Sequence, residues 1–375
     1  MSEGSTIDNH HRTKSLKIWF QALLAELSPR ASFNEFTFSL VQGDASFRRY
    51  FRAQSQNESY ILVDAPPDKE DSQVFVNIAE TFRKQGVQVP LIHKVEHEQG
   101  FLCISDFGDT LLWSKLKQAQ SSNASGTDAT LLYHEAFKEL LLIQQVSTEK
   151  LPLFSEDLLQ REMELFRHWF CEGILNLTLS DKDNKILSLA FDYLMQSAQS
   201  QEQLCVHRDY HSRNLLHLEK ASAKGSVIGV IDFQDAVCGP FTYDLVSLLK
   251  DCYIAWPLAQ VQAWALEYRE LAMQQNLIDI DANAFLKSFD LMGAQRHLKA
   301  IGIFSRLYLR DQKITYLTDI PRTLSYLYQV AAEYAELNGL HVWLGEHVMP
   351  DVENKILSFA NRNSIGSGSK KDREL

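Results

Sequence analysis

The chain has no apolar run long enough to cross a bilayer as a helix, which excludes a helical membrane protein. The first ~14 residues are polar, with His10, His11, Arg12 and Lys14 but no apolar stretch of the kind a secretory leader carries. There is no CxxC pair. The five cysteines, Cys103, Cys171, Cys205, Cys238 and Cys252, are odd in number, widely spaced and mostly inside apolar runs, which is the usage of structural thiols in a reducing compartment. Positive charge is also short: 37 Lys and Arg face 48 Asp and Glu, for a formal net charge of −11. That balance argues against nucleic acid or an anionic membrane as the main partner, although a local pocket can still hold an anionic small molecule. There is no internal repeat, and no obligate protein partner is evident. A cytoplasmic enzyme fits these absences.

What is present begins with a β-rich third. Residues 15–27 carry apolar residues at helical spacing, stopped by Pro29. Strands are expected at Phe36–Gln42, Tyr50–Gln54 and Tyr60–Val63, a helix over Asp71–Gln85 closed by Gly86, and a strand pair near 91–96 and 101–105. After Gly108 the pattern turns helical. A polar loop is expected at 119–128, helices near 129–147, 156–171 and 182–200, and further helices after 240 with breaks near Pro257, Asn276–Asp281, Pro321 and Pro350. The expected organisation is α+β and two-lobed. A disordered 1–14 precedes a small antiparallel N-lobe over 15–106; a mainly helical C-lobe follows over 107–362, then a disordered tail over 363–375.

The chemistry concentrates in residues 204–235. His207-Arg208-Asp209 is followed by Asn214, five residues after the Asp, and a short apolar strand then ends in Ile231-Asp232-Phe233. One carboxylate to orient and deprotonate a hydroxyl, with an Asn and an Asp to hold Mg²⁺ against phosphates, is the minimum kit for ATP-dependent phosphoryl transfer. Asp106-Phe107-Gly108 also carries an acid, but it follows the expected strand at 101–105 and precedes a helical pattern, which is the place of a hinge. Gly108 more plainly lets the chain turn there.

This arrangement resembles the aminoglycoside phosphotransferase and choline kinase branch of the protein-kinase-like fold. Several strings are similar to anomeric kinases of N-acetylmuramate and N-acetylglucosamine: Gly43-Asp44-Ala45-Ser46-Phe47-Arg48-Arg49-Tyr50, Val63-Asp64-Ala65-Pro66-Pro67, the Asp209 loop, Asp232-Phe233-Gln234-Asp235-Ala236 and Gly239-Pro240-x2-Tyr243-Asp244-Leu245. The likeness spans roughly residues 33–345. It implies ATP in a crevice between lobes, with adenine against a hinge near 104–110 that includes Ser105 and Phe107. It also implies Asp209 as base and Asn214 and Asp232 as Mg²⁺ ligands, with His207 bracing the loop and Asp244 capping or bracing beside it. His211 and Arg213 are expected near the transferred phosphoryl. Gly43, Asp44 and Ser46 occupy the place of a phosphate-covering loop.

One departure stands out. Kinases of this fold place a Lys on the third strand to hold phosphates, and this chain has Asp64 near that place. Arg48, Arg49 or Arg52 is then the expected source of positive charge. For the acceptor, Phe285, Phe289, Met292 and Arg296 share a helical face, and Lys299, Arg306 and Arg310 follow at compatible spacing. Such a stripe suits the lactyl carboxylate of N-acetylmuramate, with Arg296 and Arg306 as ligands, and Asp235 is expected on the metal or on sugar hydroxyls. Trp256 and Trp264 are candidates either for stacking on a sugar ring or for the core. Two alternatives remain at this point. One is an aminoglycoside or choline-type phosphotransferase; the other is a catalytically silent binding module, motivated by the missing Lys.

Overall fold

The structure is a computed structural model that describes residues 3–41, 47–121, 127–219, 227–350, 352–356 and 359. Nine strands are described: β1 Thr37–Val41, β2 Arg49–Gln54, β3 Ser59–Asp64, β4 Ile92–Glu96, β5 Phe101–Ser105, β6 Gln203–Val206, β7 Leu215–His217, β8 Ile228–Val230 and β9 Val237–Pro240. The α-helices are α1 Glu3–Leu27, α2 Ser72–Gln85, α3 Leu112–Ser121, α4 Thr127–Gln144, α5 Glu156–Leu165, α6 Asp181–Gln199, α7 Thr242–Leu249, α8 Leu258–Gln274, α9 Ala282–Asp311, α10 Ile320–Glu333 and α11 Asn338–His347. The chain divides into two compact units: Met1–Lys115 with Arg213–Asp235, and Leu116–Ser212 with Ala236–Leu375.

The first unit is built on an antiparallel sheet of order β1-β2-β3-β5-β4. Alternation along the strands sends Phe51, Ala53, Tyr60, Leu62, Phe101 and Cys103 to one face, where Leu16, Phe20, Leu23 and Leu24 of α1 cover them. The segment 1–14, expected to lack order, is helical from Glu3, and Arg12 of that helix donates from Nε to Asp64 at 2.9 Å. The tertiary partner supplies what a polar sequence did not advertise. Helix α2 starts where Asp71 accepts from the Gln73 N–H and stops where Gly86 takes φ +105°, a left-handed turn open to glycine.

The β7–β8 hairpin belongs to this unit, although it was expected in the helical lobe with a boundary at 106/107. Its backbone explains why: the His217 N–H donates to the Thr110 carbonyl at 2.7 Å and the Val230 N–H to the Gln88 carbonyl at 2.8 Å. Gly229 also lies so close under the Phe107 ring that a Cβ there would stand 2.5 Å from it.

The second unit packs around the 30-residue α9. Gly302 of α9 abuts the backbone of Leu165 and Phe166, where an added Cβ would lie 2.4 Å from the Leu165 carbonyl carbon. The helical segment expected at 156–171 continues to Ile174, but from Phe166 it widens into a π-helical stretch. Pro321, expected as a break, sits in the first turn of α10, where its missing N–H costs nothing. Trp264 is buried against Tyr133 and bonds Thr130, and Trp256 donates to the Tyr133 hydroxyl at 2.8 Å, so both serve packing. Among the described residues no helix is long and apolar enough to cross a membrane. All five cysteines are free and buried.

Candidate active site

In the second unit, the loop after β6 is held at several points before it does any chemistry. The buried Asp244 of α7 accepts from the His207 N–H at 2.6 Å and from the Arg208 N–H at 3.0 Å. The Asp209 N–H donates to His207 Nδ1 at 3.3 Å, the Tyr210 hydroxyl to the Ala136 carbonyl at 2.7 Å, and the Ser212 N–H to Asp251 at 3.1 Å. Arg208 is held at φ +76°, a strained region for a residue with a Cβ. These bonds fix where Asp209 stands.

Asp209 is half-buried in an excess of positive charge. Burial alone disfavours its ionised form, but Lys299, His211, Arg296 and His207 outweigh that and hold its pKa at about 2. Two of these groups, Arg296 and Lys299, come from α9. Lys299 donates to the Tyr243 hydroxyl at 2.8 Å and pairs with Glu162 at 3.1 Å; Glu162 also pairs with Arg208 at 2.6 Å. The Arg296 guanidinium lies over the Tyr243 ring at 4.8 Å. It is 8% exposed, and its buried Nε has no hydrogen-bond partner. Burial pushes the Asp244 carboxyl up to about 7, against the two backbone N–H groups and Arg296.

The first unit carries its own polar group. Asp232 follows β8 at φ +65°, exposed, and accepts from Asn214 Nδ2 at 3.3 Å and Gln234 Nε2 at 2.9 Å. The Ile231 N–H to Asn214 carbonyl bond of 3.1 Å keeps the two residues side by side. Behind them Phe233 packs on Phe75 and Phe82 of α2, with centroids 4.9 and 5.8 Å away. Arg213 stacks over the Trp113 ring at 5.1 Å.

Residues 37–275 match the profile of the phosphotransferase enzyme family. The chain belongs to that family. It is similar to the N-acetylmuramate/N-acetylglucosamine kinases of Pseudomonas putida and Neisseria meningitidis, each 37% identical over 340 residues and covered over 96% of its length; the match takes in 89% and 90% of this chain. The choline kinase of Streptococcus pneumoniae matches in structure with a TM-score of 0.54 at 12% identity, covering 85% of this chain and 100% of that one. An ADP-bound aminoglycoside phosphotransferase matches with a TM-score of 0.53 at 13% identity, covering 83% of this chain and 97% of that one. At such identities the structural likeness speaks for the fold.

For a phosphotransferase the donor set of Asp232 and Asn214 suits a hard divalent cation. Mg²⁺ typically takes one or two carboxylates and completes its shell with phosphates and water. An exposed carboxylate beside a side-chain amide, with no soft ligand among the partners described for it, meets that need.

The expected site residues are placed unevenly. Asp209, His211 and Arg296 come together in the second unit, and Asn214 and Asp232 in the first. Arg306 does not join Arg296: it stands ten residues on, about 15 Å along α9, with Arg310 and Asp311 as charged neighbours. Asp235 is exposed at the edge of the first unit. Ser105 accepts from the Leu91 N–H and Phe107 covers Gly229. Asp106 is tied to Arg52 and Ser59, so the Asp-Phe-Gly string is a structural turn. Gly43, Asp44 and Ser46 lie outside the described residues. Sequence reasoning missed Glu162 and Asp251. For Asp251 there was a signal, since Lys250-Asp251 directly follows the mostly apolar run Leu245–Leu249; Glu162 reads like its solvated neighbours.

Proposed function

We propose that this phosphotransferase is an ATP-dependent kinase that transfers the γ-phosphoryl group to the anomeric hydroxyl of N-acetylmuramate or N-acetylglucosamine, as the names of its relatives suggest. The observation that carries the reading is the state of Asp209. A carboxylate held near pKa 2 is a weak base. It serves an acceptor that gives up its proton easily, and a hemiacetal hydroxyl is more acidic than an ordinary alcohol. In a loose phosphoryl-transfer transition state little proton transfer is needed early, so Asp209 first orients the hydroxyl. As the O1–Pγ bond forms and the bridge to the β-phosphate breaks, the proton passes to Asp209 and ADP departs. Asn214 and Asp232 would hold Mg²⁺, which, when bound, neutralises charge on the phosphates.

The excess of cations about Asp209 favours an acceptor with a carboxylate. In this reading Arg296 would meet the lactyl group of N-acetylmuramate, whereas an aminoglycoside or choline would bring positive charge to a positive site. A cytoplasmic location fits these substrates. The test is phosphorus NMR of purified protein with ATP, Mg²⁺ and each sugar. The expected product shows a phosphorus signal coupled to the anomeric proton. Phosphate on another hydroxyl, or transfer only to kanamycin or choline, would overturn the reading.

A further inference from the structure

A nucleotide's phosphates need a cation, and the third strand supplies none. Asp64 is fully buried on the α1 face of the sheet, where Arg12 and Arg49 bind it. The side chain opposite Tyr50 on the other face is Val63. Of the three arginines near the first hairpin, Arg49 is therefore committed to Asp64. Arg52 lies at the other end of β2, about 13 Å further along, and is clasped by Asp106 and Asp109 at 2.6 Å each.

Arg48 is placed differently. It shares the Val63 face with Tyr50, whose hydroxyl it bonds. Its guanidinium pairs with Glu70 at 2.9 Å and lies 5.8 Å from the Phe75 ring centre. Glu70 also accepts from the Phe47 N–H at 3.3 Å and stands directly before α2, with Asp71 as that helix's cap. The same helix holds Phe233, next to Asp232. The Tyr50 hydroxyl senses Asp232 as well as Arg48: burial raises its pKa, Arg48 lowers it, and Asp232 raises it further. Helix α2 thus packs against Arg48 through Phe75 and against the neighbour of Asp232 through Phe75 and Phe82, within a single unit. The planar fork of a guanidinium suits phosphate.

We propose that Arg48, oriented by Glu70, binds the phosphates of the nucleotide in place of the absent strand lysine. The proposal rests on the kinase reading above. Nucleotide affinity of the full-length protein, measured by calorimetry with Mg²⁺, tests it without any acceptor. Arg48→Ala should weaken ATP and ADP at least ~10-fold and adenosine less than ~2-fold, because adenosine has no phosphate. Arg48→Lys should restore part of the loss. Glu70→Gln should raise KM for ATP by ~3–10-fold and leave KM for the sugar unchanged, which a merely structural role would not do. Arg52→Ala should leave ATP affinity within ~3-fold. Unchanged ATP affinity in Arg48→Ala, equal losses for ATP and adenosine, or an equal loss in Arg52→Ala would overturn the assignment. Failure of the unaltered chain to bind any nucleotide would remove the kinase reading and this assignment together.

Discussion

At the scale of single residues, the proposed function gives Asp209 and Arg296 separate parts in handling the acceptor. With its pKa held at about 2, Asp209 is ionised at neutral pH, and the proposed function gives it orientation and late proton acceptance. Asp209→Asn keeps the shape and loses the charge. It should lower kcat by about 10²–10⁴ while nucleotide affinity stays within ~3-fold, as read by ADP release and by calorimetry. Near-normal turnover would remove the base. Arg296 has a buried Nε without a partner and no ion pair among the described contacts. Such a group costs free energy unless something meets it, and a substrate carboxylate would. Arg296→Ala should raise KM for N-acetylmuramate by roughly 10–100-fold, the worth of a charge-assisted bond, and alter KM for N-acetylglucosamine less than ~3-fold. Equal losses for the two sugars would assign Arg296 to keeping Asp209 ionised. Arg306→Ala should change neither KM.

At the scale of elements, the legible parts were those coded locally. The first five strands, α2 with its Asp71 cap and Gly86 stop, and the Asp209–Asn214 and Asp232 spacing follow from alternation, caps and motif offsets. What was not legible depended on partners distant in sequence. The order of the N-terminal helix comes from covering the sheet and from Arg12 reaching Asp64; the attachment of the β7–β8 hairpin to the first unit comes from backbone bonds to Gln88 and Thr110. Asp64 shows how a sequence position can mislead. It stands near the expected lysine, yet its carboxylate faces α1 and closes a buried trio with two arginines. Asp64→Lys should therefore not rebuild a phosphate site. It would set a third cation beside Arg12 and Arg49 and destabilise the first unit by at least the ~3–5 kcal/mol typical of breaking a buried pair. Urea unfolding followed by circular dichroism checks this. A variant as stable as the parent would mean that the carboxylate is not what holds α1 to the sheet.

At the scale of the whole molecule, two buried groups pull stability in opposite directions across mildly acid pH. His297 is fully buried and its Nε2–H donates to the Lys250 carbonyl at 3.2 Å; burial, then Lys250, pulls its pKa down to about 3. Unfolded, it binds a proton below ~6.5. Between pH 3 and 6.5 the unfolded state thus holds the extra proton, and the stability that His297 contributes is lost as pH falls. Asp244 behaves in reverse. Its folded pKa of about 7 lies above the ordinary carboxyl value, so between ~4 and 7 the folded state holds the extra proton. Its contribution is present at low pH and lost as pH rises. Each slope approaches ~1.4 kcal/mol per pH unit, and over pH 4–6.5 they cancel. This pair then adds little net slope in that window, and unfolding free energy of the unaltered chain should rise only gently with pH, through the lowered pKa values of His93 and His217. His297→Gln should expose the Asp244 slope, with stability falling as pH rises. Asp244→Asn should expose the His297 slope, with stability rising instead, and should also slow turnover, because one of the two loop N–H groups it receives would lose its acceptor. Chemical unfolding at several pH values reads both slopes. If the two variants tilt the same way, the opposition between these groups is not what levels the curve.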